Sequence, residues 1–174
     1  MTTWLTSDWH LHHDRIRDLT NRPFKNLDEM HSQLIARYNA VVQPDDEVWF
    51  LGDLTLRSPN SIRPVQQIVV ELPGQKHFVI GNHDCCKWDS YLKMGFRSFH
   101  SSLDMWFGGR RCHLVHDPVD APLGTQWLIC GHVHQNWKVR TQPCPTVNVG
   151  VDCWDFYPVE LSVVLGLFET AGAE

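Results

Sequence analysis

The chain has 174 residues, 43% of them hydrophobic and 20% charged, which suits one soluble domain, residues 1–174, burying its apolar surface in a single core. Lys and Arg number 15 against 20 Asp and Glu; the formal net charge of −5 excludes the broad basic field of a protein that grips long nucleic acid. No apolar run approaches the roughly 20 residues of a membrane span, and Met1-Thr2-Thr3 leads to Asp8 without the apolar stretch of a secretory signal, so a cytoplasmic location is expected.

Taken in order, Thr3-Trp4-Leu5-Thr6 reads as a short strand. From Asn26-Leu27 to Val42, apolar residues fall at 27, 30, 34, 35, 38 and 41; with Asp28 and Glu29 in the first turn and Pro44 beyond, this predicts a helix. Glu47–Leu51 is a strand ending at Gly52. Ser61 to Leu72 again has helical spacing and is stopped by Pro73-Gly74, and Lys76–Ile80 is a third strand ending at Gly81. Strand and helix thus alternate as in parallel βαβ units. A short helix near Asp89–Met94 precedes a strand-rich half: Ser101–Phe107, Arg111–Val115, Trp127–Cys130, Pro145–Val149 and Pro158–Leu165, with Gly108-Gly109 joining the first two as a hairpin. The expectation is an α/β fold with a mixed sheet or two facing sheets.

Eight Trp are expected to place large rings in core and rim positions. Six Cys lack paired CxxC spacing and read as small buried hydrophobes, although Cys85-Cys86 could bind or oxidise near a metal. Eleven His call for a chemical explanation, because His is the commonest metal ligand. Small clusters (Arg15, Arg17, Arg22 and Lys25; Arg110 and Arg111; Lys138 and Arg140) remain available for phosphate.

Five segments supply the explanation: Asp8-Trp9-His10, Gly52-Asp53, Gly81-Asn82-His83-Asp84, His116 and Gly131-His132-Val133-His134. Alone, each has an ordinary reading, such as a strand-ending turn at Gly52-Asp53 or a hydrogen-bonded His116. With 11 Gly and 11 His in the chain, Gly-His-x-His arises by chance roughly 0.04 times, so coincidence there is uncommon. Asp8, Asp53, Asn82, His116 and His132 each follow a predicted strand by one to three residues, and in α/β sheets ligands bind outside the carboxyl ends of strands. Asp8 and His10, two apart on an extended segment, would point to one side, as would His132 and His134. Carboxylate, amide oxygen and imidazole without thiolate suit Mn²⁺, Fe²⁺, Ni²⁺, Co²⁺ or Zn²⁺.

In this order the five segments resemble the pattern of the calcineurin-like metallophosphoesterase superfamily, D-x-H, G-D, G-N-H-D/E, H and G-H-x-H, with every element present between Asp8 and His134. The resemblance implies two facing mixed β-sheets flanked by helices, a four-layer sandwich. It implies two divalent ions, Mn²⁺ foremost with Fe, Ni, Co or Zn also fitting. One would be held by Asp8, His10, Asp53 and His134, the other by Asp53, Asn82, His116 and His132, with Asp53 bridging. A metal-bridging hydroxide would be the nucleophile. His83 would protonate the leaving oxygen or stabilise transition-state charge, and Asp84 would orient its ring.

The chain is similar in finer detail to small stand-alone bacterial and phage members through His13-Asp14-Arg15-Ile16, Asn21-Arg22-Pro23-Phe24 and Asn148-Val149-Gly150-Val151-Asp152. His13 and Arg22 are candidates for phosphate or ribose contact, or equally residues that cap and pack the first loop. Arg57 could reach a phosphate, a solvated loop Arg being the plainer reading. His12 stands where many relatives carry Gly, which bears on the shape of this loop. The leading function is a phosphodiesterase acting on a small nucleotide or cyclic nucleotide, with no membrane or long nucleic acid as partner. A phosphomonoesterase or protein phosphatase, a nuclease and a non-catalytic metal-bound scaffold are the alternatives; the presence of His83 and every implied ligand argues against the last.

Overall fold

In the computed structural model, residues 1–56, 62–84 and 88–171 are described, residues 88 and 171 by backbone alone. Arg57, Cys85 and Cys86 lie outside the described residues. Two five-stranded sheets are formed among the described residues. The first runs, in spatial order, β10 (Val159–Glu160), β1 (Thr3–Thr6), β2 (Glu47–Leu51), β3 (Gln75–Val79) and β4 (Phe96–His100). Strands β1 to β4 are parallel, and β10 caps the β1 edge antiparallel. The second runs β5 (Ser102–Phe107), β6 (Arg110–Val115), β7 (Trp127–Cys130), β9 (Thr146–Asn148) and β8 (Val139–Arg140). Its central β6, β7 and β9 are parallel, with antiparallel β5 and β8 at the edges. Gly108 and Gly109, at φ 56° and 80°, make the β5–β6 turn, where positive φ matches the twist of a two-residue hairpin.

Side-chain alternation in β2 shows how the layers are assembled. Val48 and Phe50 face one cluster with Leu34 and Tyr38 of α2 (Leu27–Val41), Val65 and Val69 of α3 (Ile62–Val70) and Tyr91 of α4 (Trp88–Lys93). Trp49 and Leu51 face the opposite way, into a seam with Leu114, Ile129 and Val147 of the second sheet. Both faces of β2 are buried, which is why it reads as a continuous apolar run. The α2 helix starts at Asn26, whose side chain accepts from Glu29 N–H at 2.8 Å, and buries Met30, Leu34 and Tyr38 on one stripe.

Besides three short 3-10 turns, the sequence reading missed α1 (Ile16–Leu19), the edge strand β4 and the short β8. The strand expected over Pro158–Leu165 is corrected: only Val159–Glu160 pairs with β1, and Leu161–Ala171 forms helix α5. The run is almost wholly apolar, which hides a four-residue repeat in which Val164 and Phe168 are buried. Phe168 stacks on Trp127, centroids 4.9 Å apart and planes within 11°, so α5 fills the seam. Phe168→Ala should therefore destabilise the fold by about 3–5 kcal/mol. Urea unfolding would measure this, and a loss below about 1 kcal/mol would show that the seam closes without α5. Cys112 and Cys130 are buried and Cys144 and Cys153 half-buried, all four as free thiols. No described helix is long and apolar enough to cross a membrane.

Candidate metal and catalytic site

The carboxyl ends of the parallel strands converge. Asp8 follows β1, Asp53 follows β2, Asn82 follows β3, His116 follows β6 and His132 follows β7, so the candidate ligands come from both sheets. Backbone bonds lay the β1 loop on the β2 loop: Asp8 N–H donates to Gly52 O (3.1 Å) and His10 N–H to Asp53 O (2.9 Å). The second sheet is tied in by His132 N–H, which donates to the Asp8 carboxylate at 3.0 and 3.1 Å. At Gly52 (φ 88°) a Cβ would meet His116 Nδ1 at 2.6 Å; only a glycine lets these two loops approach so closely.

The candidate ligands do not lie on extended segments. Asp8, His10, Asp53, His132 and His134 have φ of 61°, 51°, 52°, 70° and 48°, all left-handed. Asp8 and His10 reach the same point through successive left-handed turns, as do His132 and His134, and the strand-alternation argument is corrected accordingly. Non-glycine residues in this region carry strain that gathers at functional sites. His12 is left-handed too (φ 59°), a conformation that favours glycine; here His12 N–H donates to His31 Nε2 at 3.0 Å and the two rings pack at 4.5 Å.

Two groups of side chains could each hold a cation: Asp8, His10 and His134, and Asp53, His116 and His132, with ligand atoms in each group within 4.8 Å of one another. Asp53 Oδ2 lies between them, 3.5 Å from His10 Nε2 and 3.3 Å from His116 Nε2. Asn82 Oδ1 is 3.0 Å from His116 Nε2 and 2.9 Å from His132 Nδ1. His10 Nε2 is buried with no hydrogen-bond partner, although it sits among carboxylates. A buried imidazole nitrogen left this way fits an electron-pair donor to a cation.

The rings are held from behind. His116 Nδ1–H donates to Leu51 O at 2.7 Å, which leaves its Nε2 lone pair aimed at the site. His134 Nδ1 is 2.9 Å from Asp152 Oδ2, and His132 Nε2 is 3.4 Å from Asp117 Oδ2. Asp152 is in turn gripped bidentately by Arg22, at 2.8 and 2.9 Å. Burial opposes charge on Asp53, yet the hydrogen bond with His116 and the charges of His116 and His10 outweigh it, holding its pKa at about 2. Burial likewise opposes a proton on His116, but its bond to Asp53 and the charges of Asp8 and Asp53 draw it up to about 9. His10 moves the other way, driven down to about 2 by burial first. The cluster thus favours positive charge beside Asp53, and a cation held there would take the place of the His116 proton.

Of the remaining sequence-predicted residues, His83 sits at the rim. Its N–H donates to Asp53 Oδ1 at 2.9 Å, and its ring, 39% exposed, places Nε2 4.0 Å from Asp53 Oδ2. His13 lies beside His10 and His83, with ring centroids 5.4 and 6.2 Å away, and lines the cleft at that end. Asp84 is corrected. Its carboxylate accepts from Asp53 N–H (2.7 Å), Gly81 N–H (2.9 Å) and Leu54 N–H (3.2 Å), stapling two strand ends, and no hydrogen bond joins it to the His83 ring. Burial, then the Asp53 charge, pushes its pKa up to about 7.

Arg22 is 5% exposed and spends its donors on Asp152, Trp9 O and Asp8 O, which fits the packing of the first loop, the second of its two readings. Arg17 is likewise engaged, by Asp14 and the carbonyls of Phe24 and Lys25. The sequence reading quoted Asp152 in Asn148–Asp152 without giving it a part, and passed over Asp117; only the fold brings them to His134 and His132.

A family model described as a calcineurin-like phosphoesterase superfamily domain matches residues 1–170. The chain belongs to the calcineurin-like phosphoesterase superfamily. Among relatives of this phosphoesterase, an uncharacterized protein of Methanocaldococcus jannaschii is 33% identical over 174 residues, covering 95% of this chain and 90% of that one. The gene 66 protein of Mycobacterium phage D29 is 29% identical over 190 residues, covering 90% and 92%. A protein of unknown function from Aquifex aeolicus superposes with a TM-score of 0.75 at 26% identity, covering 95% of this chain and 98% of that one. An archaeal phosphodiesterase, at 14% identity and a TM-score of 0.50 over 92% and 99%, shares the fold of this phosphoesterase.

Proposed function

We propose that this phosphoesterase is a two-metal phosphodiesterase. The observation that carries the reading is Asp53 Oδ2 lying 3.5 and 3.3 Å from an imidazole of each candidate cation group. Asp8, His10, Asp53 and His134 would hold one ion, and Asp53, Asn82, His116 and His132 the other. Oxygen and nitrogen donors without thiolate suit Mn²⁺, Fe, Ni, Co or Zn, and Mn²⁺ is put first on the family resemblance alone. Divalent ions bound there supply Lewis acidity, lowering the pKa of water and drawing charge from the phosphoryl oxygens. His83, held at the rim through its backbone N–H, is placed to give a proton to the leaving oxygen.

Diester over monoester is supported by charge. The two clefts beside the candidate ligands are lined by no Lys or Arg among the described residues, and one carries Asp117 and Asp120. A monoester dianion would want a fixed cation there, whereas a diester bears a single negative charge that the metals can meet. With Mn²⁺ loaded, bis(4-nitrophenyl) phosphate should be hydrolysed faster than 4-nitrophenyl phosphate. The reverse order would make the protein a monoesterase, and inertness toward both would overturn the reading.

Asp152 is assigned the positioning of His134. Asp152→Asn should weaken metal binding about 10–100-fold, measured by competitive metal titration. It should also destabilise the chain by about 3–5 kcal/mol, because Arg22 is left buried without its counter-charge. Unchanged metal affinity would remove Asp152 from the site.

A further inference from the structure

The metal-facing rim opens on two sides. One cleft, of about 270 Å³, lies past Asn82 and His116 and is walled by Asp117 and Asp120. The other, of about 280 Å³, lies past His10 and His134, with His83 and His13 at its inner end. This second cleft is lined by Ile16 and Leu19 of helix α1 with Thr20 after them, and by Gln135 and Asn136. Leu19 is 59% exposed, a large apolar side chain standing at the cleft mouth. Gln135 and Asn136 are exposed, and no hydrogen bond engages their side-chain amides among the described residues. A cleft smaller than the roughly 300–1,000 Å³ that encloses a whole drug-sized ligand suits one arm of a diester.

Resting on the phosphodiesterase reading above, we propose that the cleft between Ile16 and Leu19 and Gln135 and Asn136 seats the leaving arm, and that this arm is a nucleoside. Three features converge on that choice. His83 lines this cleft, so a leaving oxygen that takes its proton would lie here. Apolar side chains and two amides in one cleft match a flat, neutral ring with donors and acceptors along its edge, because each amide offers both. Among the described residues no Lys, Arg, Asp or Glu lines the cleft, so apart from its imidazoles it offers neither a further phosphate nor an ammonium group a charged partner. Asp117 and Asp120 repel an added phosphate on the other side as well, so the fitting substrate carries one phosphodiester and no more. In the reaction an oxygen from water forms the new bond to phosphorus. The bond to the leaving arm breaks with its electron pair on the leaving oxygen, and the His83 proton joins that oxygen. Diester and water become a nucleotide monoester and a nucleoside.

The test compares a dinucleoside monophosphate with a bis-glycerol phosphodiester, on the metal-loaded wild type, Leu19→Ser and Gln135→Ala/Asn136→Ala. Both variants should raise KM for the dinucleoside about tenfold with little change in kcat, and leave the glycerol diester unaffected. In parallel, the zinc-loaded protein is titrated with adenosine, which should shift the Leu19 methyl NMR signals where glycerol does not. Equal effects on both diesters, or a silent Leu19, would overturn the cleft assignment while leaving the phosphodiesterase reading standing. Adenosine binding at Leu19 in a protein that cleaves no phosphoester would overturn the phosphodiesterase reading and keep the cleft as a nucleoside site.

Discussion

Asp53→Asn should empty both candidate cation positions at once. The Asn amide can still accept from His83 N–H, so the loop geometry has a route to survive. What changes is the face toward His10 and His116, where a negative oxygen 3.5 and 3.3 Å from the two rings becomes a neutral group. Metal affinity should fall by more than the roughly 100-fold that removal of an outer partner causes, and diester hydrolysis should fall to near background. Elemental analysis after dialysis gives the metal content directly. Two ions retained per chain would rule out Asp53 as the shared ligand.

His83→Ala should do the opposite: keep the metal content of the wild type and slow the reaction by roughly 10²–10⁴-fold. Its ring is 39% exposed and its Nε2 is 4.0 Å from Asp53 Oδ2, outside both ligand groups. The loss should depend on the leaving group. An alkoxide needs a proton far more than 4-nitrophenolate does, so the dinucleoside substrate should suffer much more than bis(4-nitrophenyl) phosphate. Equal losses on both would take His83 away from the leaving oxygen, and unchanged turnover would take it out of the chemistry.

The residues that face the ligand space were readable from the chain because their chemistry restricts them. Two carboxylates, an amide and four imidazoles just past strand ends have few substitutes, and the strands before them are plain apolar runs. Residues that act one step back were not readable. Arg22 and Asp152 meet across 130 positions, and a motif containing either says nothing of that meeting. Asp84 shows the same limit within a motif: the family resemblance implied a partnership with the His83 ring, whereas its carboxylate turns to backbone N–H groups of Asp53 and Leu54 on a different loop. The His count was only partly a metal signal, since His77 stacks on Trp49 and His113 pairs with Asp104. Helix α5 was hidden by its setting, because a helix plugging an apolar seam has little polar face to reveal its period. The left-handed residues were invisible for another reason: Asp and His there follow from how loops from neighbouring strands stack, not from local preference.

The seam between the sheets has one last consequence. Asp8, Asp53 and Asn82 ride on one sheet, and His116, His132 and His134 on the other. The spacing of the reactive centre is therefore a relative coordinate of two plates, calibrated by the apolar side chains clamped between them. Trimming Val147, a seam residue that is no candidate ligand, should let the plates settle closer. In this molecule the hydrophobic seam serves as the gauge block of the chemistry.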